Sequence, residues 1–275
     1  MKEMLASALL VGTFLAYAGC NRKQAETPKE SSMVIFRGAD GRTLTMDELR
    51  GLTGTFRYEI VGASNVPAEA KSLHSQAWRA GEAGDYGKAI TLLEQASNLA
   101  HQWPYPVYDM AFTYLLMKDT ENARKQYRKT VELAPRGFFS AITAIDALDR
   151  EEKGDLPAGT YLAYLSFEWT EDPAKRAEIA HQLVRRVPGF APAWKELAIL
   201  SEDDAEQLTA IERGLAANPD RETRGILQIN KALILNRKGN HEGAVCLLGE
   251  LALDPASTYA TEHMAKVSLA NIAQS

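Results

Sequence analysis

The side chains that perform most enzyme chemistry are present in this chain but scattered. Five histidines, His74, His101, His181, His241 and His263, could act as bases or ligands. No two of them share the spacing that lets a pair hold one metal ion, and neither a CxxC nor an HExxH motif occurs. The acidic pairs Glu151-Glu152, Glu171-Asp172 and Asp203-Asp204 could do acid–base work. Each falls at an expected helix end, where solvation or the helix dipole accounts for it more simply. Glycine loops of the phosphate-binding kind and a Gly-x-Ser-x-Gly elbow are missing. No catalytic residue, metal site or cofactor is therefore assigned, and the chain reads as a non-enzyme. Aromatic rings are the richer signal. Trp103-Pro104-Tyr105-Pro106-Val107-Tyr108-Asp109 is followed closely by Phe112 and Tyr114, a density suited to gripping apolar or ring-shaped ligands.

Something must position those rings, and composition narrows what. The chain has 275 residues, 45% hydrophobic and 24% charged, which is ordinary for a folded globular protein. Its net charge of −5 argues against a nucleic-acid footprint, so no nucleic-acid partner is expected. Two cysteines, Cys20 and Cys246, are too few for a disulfide scaffold. Cys246 sits in the apolar run Ala244 to Leu248 and reads as a buried small hydrophobe.

The N-terminus is an address. Lys2 precedes an apolar run from Met4 to Ala18, too short to span about 30 Å of hydrocarbon as a helix. Small residues lead into Cys20, and the sequence turns polar immediately afterwards. This arrangement resembles a bacterial lipoprotein signal, with Tyr17-Ala18-Gly19-Cys20 in the place of the lipobox. The resemblance implies removal of residues 1–19, lipidation of Cys20, and a flexible tether over 20–32. Asn21 after the cysteine implies the outer membrane, facing the periplasm. The residues also allow cleavage after Ala16-Tyr17-Ala18, which would release a soluble periplasmic or secreted protein starting at Gly19.

Residues 33–66 read as a small β-α-β unit: a strand over 33–36, a helix from the capping box at Thr45 to Leu52, and a strand over 56–61. From residue 67 to the end a repeat dominates. Gly84-Asp85-Tyr86-Gly87-Lys88-Ala89 returns 34 residues later as Lys118-Asp119-Thr120-Glu121-Asn122-Ala123, while Leu93 answers Tyr127 and Ala77 answers Ala111. Further on, Ala244 lies 34 residues after Ala210, and Ala232 34 after Ala198. The two series are out of phase by about 19 residues, roughly one helix with its loop, so an extra helix is expected near 137–153. Residues 257–274 then form a capping helix.

The phase-locked series, with Trp194-Lys195-Glu196-Leu197-Ala198 and the helix-ending Pro219 and Pro255, resembles the tetratricopeptide repeat. That resemblance implies an all-α, right-handed solenoid of about five helical hairpins and twelve helices. In this family the groove is lined from first helices, at the second, fifth, ninth and twelfth places of a repeat. Here those places hold Lys71, His74 and Trp78, then Tyr105, Tyr108, Phe112 and Leu115. The family's carboxylate-gripping groove has Lys and Asn where this chain has His74 and Trp78, so that mode of recognition is not expected. The implied function is a protein–protein interaction scaffold binding an envelope protein or peptide. The alternative is a module capturing glycans or small solutes on the aromatic groove. An unpaired helix near 137–153 should also bend the solenoid and separate its two blocks, with Phe138 and Phe139 sealing the joint.

Overall fold

The structure is a computed structural model that describes residues 34–37, 43–44, 57–60 and 66–272. Three strands, β1 (Val34–Arg37), β2 (Thr43–Leu44) and β3 (Arg57–Ile60), form one antiparallel sheet in the order β2-β1-β3. Its register pairs Phe36 with Leu44 on one side and with Tyr58 on the other. β2 is not foreshadowed in the sequence, being only two residues long. The helix expected over 45–52, the signal and the tether lie outside the described residues.

Twelve helices follow among the described residues. They are α1 (Ala68–Glu82), α2 (Tyr86–Leu99), α3 (Pro104–Leu116), α4 (Thr120–Leu133), α5 (Ala141–Lys153) and α6 (Thr160–Glu168), then α7 (Pro173–Arg186), α8 (Ala191–Leu200), α9 (Asp204–Ala216), α10 (Arg221–Arg237), α11 (His241–Leu253) and α12 (Tyr259–Ile272). The pairs α1–α2, α3–α4, α6–α7, α8–α9 and α10–α11 pack as hairpins, giving the all-α array of the tetratricopeptide type.

Local chemistry sets the helix boundaries. Asp85, Asp119 and Asn240 each accept an N–H three residues on, and Asp172, Asp203 and Asp220 cap α7, α9 and α10 in the same way. In the first group the residue before the cap turns the chain in the left-handed region: Gly84 at φ +78°, Gly239 at +83° and, against the usual preference, Lys118 at +63°. The acidic pairs do sit at helix ends. Asp172 and Asp203 are caps, and the Glu151 carboxylate accepts the Gly159 and Tyr161 N–H groups at 2.7 Å, closing the start of α6.

Small residues let the helices approach. Ala77, Ala111, Ala198, Ala232 and Ala244 are all buried, with Leu93 and Tyr127 filling the spaces between helices. α10 and α12 meet where Gly225 leaves room; a Cβ there would lie 2.9 Å from the Thr261 Cβ. Cys246 is half-buried rather than enclosed.

α5 stands outside the hairpins, packed against α4, α6 and α10. Arg128 on α4 reaches its Asp149 at 2.9 Å. This joint does not separate two blocks, as expected, but gathers them. Arg136, just before α5, donates from Nε to the Ser257 carbonyl at 3.1 Å and pairs with Glu262 of α12. The Tyr259 N–H donates to the Arg136 carbonyl at 2.8 Å. Arg221 of α10 donates to the Pro135 carbonyl, and Thr143 of α5 to Asp220 at 3.2 Å. These contacts bring the C-terminal half back onto the joint.

Candidate functional site

α1 presents His74 and Trp78 four residues apart, on one face. A single carboxylate fixes both: Asp109 Oδ2 on α3 lies 2.7 Å from His74 Nε2 and accepts the Trp78 indole N–H at 3.2 Å. The His74 ring also leans on Trp103, with centroids 4.9 Å apart. Lys71 is exposed at the edge of this group.

Tyr105 and Tyr108 on α3 turn into packing rather than outward. Tyr105 meets Phe138 edge-on at 4.8 Å, and Tyr108 meets Tyr127 and Phe138 at 5.6 Å. The Tyr108 hydroxyl lies 2.9 Å from Ser140 Oγ, which lies 3.2 Å from the Tyr161 hydroxyl, a polar thread through the joint. Burial pushes the Tyr108 phenol above the ordinary tyrosine range. Phe112 meets Trp169 edge-on at 6.0 Å, and Leu115 is buried in the core rather than lining the groove. Of the two joint phenylalanines, Phe138 is 3% exposed and seals, whereas Phe139 is 42% exposed.

The rings left open to a partner are thus Trp78 at 50% exposure, Phe139 at 42% and Trp169 at 43%. Of these, the sequence marks only Trp78 as a groove residue.

Beside Phe139 lies a pocket of about 180 Å³, lined by Ser140, Tyr164, Glu168, Lys195, Glu222 and Thr223 among others. Lys195 Nζ lies 2.7 Å from Glu196 Oε1 and donates to the Tyr164 hydroxyl at 3.1 Å; Tyr164 in turn donates to Glu196 Oε1 at 2.7 Å. Burial works against the charge on Lys195, but Tyr164 and Glu196 outweigh it and hold its pKa well above the lysine range. Burial raises Glu168 above the carboxylate range. Burial, with the nearby Asp220, pushes Glu222 up to about 8.

These residues escape a groove count made only in the first repeat series. The same count in the second, starting near 157 and 191, puts Glu168 at the twelfth place and Lys195 at the fifth. Among the described residues no group of three or more His, Cys, Asp or Glu side chains could hold a metal ion. No helix among them is long and apolar enough to cross a membrane.

No family model and no curated protein matches the chain. Solved structures similar to it include MamA from residue 41 onward of Desulfovibrio magneticus RS-1, 16% identical over 67% of this chain and 94% of that one, with a TM-score of 0.32. A tetratricopeptide-repeat protein of Thermus thermophilus is 14% identical over 75% of this chain and 100% of that one, TM-score 0.32. The TPR2AB domain of yeast Sti1, solved with an HSP90 peptide, is 15% identical over 75% of this chain and 88% of that one, TM-score 0.33. Such TM-scores mean that the whole arrays do not superpose.

Proposed function

We propose that this chain is a lipid-anchored scaffold of the cell envelope that binds a protein partner along the inner face of its helical array. The observation that carries the reading is the exposure of three large rings, Trp78, Phe139 and Trp169, on α1, before α5 and at the end of α6. Aromatic side chains are enriched where proteins bind one another, so large rings left open to solvent are candidate anchors for a partner. Asp109 holds Trp78 in place before any partner arrives, which lowers the ordering cost of binding. Sugar stacking on Tyr105 and Tyr108 is the weaker reading, since both rings are committed to Phe138.

The anchor rests on the sequence before Cys20. A thioether-linked diacylglycerol there would hold the array near the outer membrane on its tether, with the groove facing the periplasm. Each buried CH₂ contributes about 0.8 kcal/mol, so two or three chains make release negligible.

Two measurements test the proposal. Crosslinked envelopes should yield one defined protein with the wild type, and lose it with Trp78→Ala combined with Trp169→Ala. Recovery of the same protein by the double variant would contradict the groove. Mass spectrometry of the mature chain should find acyl groups on Cys20, and Cys20→Ser should leave the membrane fraction while staying folded. Because the thioether uses the Cys20 sulfur, an intrachain disulfide in the mature protein, or a soluble product starting at Gly19, would contradict the anchor.

A further inference from the structure

The pocket beside Phe139 has a charge balance that the fold leaves open. Three carboxylates at or beside it, Glu168, Glu196 and Glu222, face one ammonium group, that of Lys195. Lys195 is taken up by Glu196 and Tyr164. Arg221 and Arg176 act on Glu222 and Glu168 through their charge alone, their own contacts being the Pro135 carbonyl and the Phe167 ring at 4.4 Å. Glu222 Oε2 is sealed from solvent and accepts no hydrogen bond among the described residues. A buried oxygen without a donor costs about 1–3 kcal/mol, more when charged.

The geometry points to this pocket as a receptor for one alkylammonium or guanidinium group, presented by a lysine or arginine side chain of the partner that the groove binds. Such a group brings what the site lacks, a positive charge carrying N–H donors for the carboxylates of Glu168 and Glu222. The Tyr164 and Phe139 rings on the wall favour a cation. An anion would meet carboxylates, and a bare metal ion lacks its ligand set among the described residues. Water could fill a pocket of about 180 Å³ but would bring no positive charge.

The inference rests on the scaffold reading for its partner, but its test does not. The probe is N-acetyl-lysine N-methylamide, titrated calorimetrically into the full chain. The norleucine analogue, which keeps the methylenes and loses the charge, is the control, and putrescine is a second probe. The lysine probe should bind saturably and the norleucine analogue at least tenfold more weakly. Glu222→Gln and Glu168→Gln should each weaken the lysine probe about tenfold.

Binding should also release a proton, seen as a heat that depends on the buffer, and should tighten as pH rises from about 6 to about 9. The groups facing Glu222 are Asp220 and Arg221 from its own helix and the turn before it, Lys195 from α8, and Glu168 and Tyr164 from α6; α5 and its cap add the hydroxyls of Thr143 and Ser140. Tighter binding of putrescine than of the lysine probe would keep the cation site and assign it to a free amine. Equal binding of lysine and norleucine probes, no binding of either amine, or an unchanged affinity in Glu222→Gln would overturn the inference. Failure to recover a partner from envelopes while the lysine probe binds would instead count against the scaffold reading.

Discussion

Arg136 and Glu262 form an ion pair across 126 residues of chain, joining the loop before α5 to the last helix. Arg136 also stacks over the Tyr259 ring at 4.2 Å, and Lys266 reinforces Glu262 from one turn further along α12. Both members of the pair are mostly shielded, at 17% and 21% exposure, so water screens the contact only in part. This is the clasp that turns a row of hairpins into a curled body.

Replacing Glu262 by Gln should cost about 1–2 kcal/mol, the scale of a charged hydrogen bond discounted for partial exposure. The loss should be local. Amide exchange should speed up through α12 while α2 keeps its protection, because α2 packs in the first hairpin, at the other end of the chain order from the clasp. Uniform loss of protection across both helices would contradict the clasp's position.

The two phenylalanines of the joint should behave oppositely. Phe138→Ala removes a ring that is 3% exposed and packed by Tyr105, Tyr108 and Phe139, and should cost about 3–5 kcal/mol in chemical denaturation. Phe139→Ala should cost about 1 kcal/mol or less, because much of that ring already meets solvent. A loss below about 1 kcal/mol for Phe138→Ala would place the seal elsewhere.

Lys118 occupies the turn position that glycine fills at 84 and 239, with φ +63°. A left-handed residue with a Cβ is strained by about 1–2 kcal/mol, whereas glycine adds about 0.5–1 kcal/mol of chain entropy to lose. Lys118→Gly should therefore stabilise the protein by about 0.5 kcal/mol, read as a higher denaturation midpoint. A lower midpoint would mean that the lysine side chain contributes more than its backbone costs.

Glu222 makes stability depend on pH. Its folded-state pKa of about 8 is above its unfolded value, so the folded protein binds that proton more tightly. The resulting stabilisation is complete below the unfolded pKa and is lost as pH rises through about 8. His263, lowered to about 4 by burial, works in the other direction, removing stability as pH falls from its ordinary value toward 4. Denaturation across this range should show the Glu222 decline flattened in Glu222→Gln. An identical slope in both proteins would show that Glu222 titrates normally.

Much of the array is legible in the sequence because its signals are local and periodic. The motifs around Asp85 and Asp119 that open second helices, the alanines at 34-residue intervals and, from the phase shift between the series, the odd helix expected near 137–153 and found over Ala141–Lys153 are all written in the sequence. The joint is misjudged for the opposite reason. Arg136 and Glu262, or Gly225 and Thr261, meet only once the hairpins have curled, and no sequence period encodes that meeting. The groove is half-legible. His74 and Trp78 do share a face, but Tyr105 and Tyr108 look like groove residues until Phe138 covers them. Glu222 gives no sign in the sequence, since a carboxylate in the first turn of a helix is usually solvated.

The central claim is that the inner face binds a protein. Site-specific photo-crosslinking in intact cells tests it most directly, with the reactive side chain placed at Trp78, at Phe139, or at Leu253, an 84% exposed residue at the far end of α11. The account predicts that Trp78 and Phe139 trap the same polypeptide and that Leu253 does not. Adducts of equal yield at all three positions, or adducts at Leu253 alone, would contradict it.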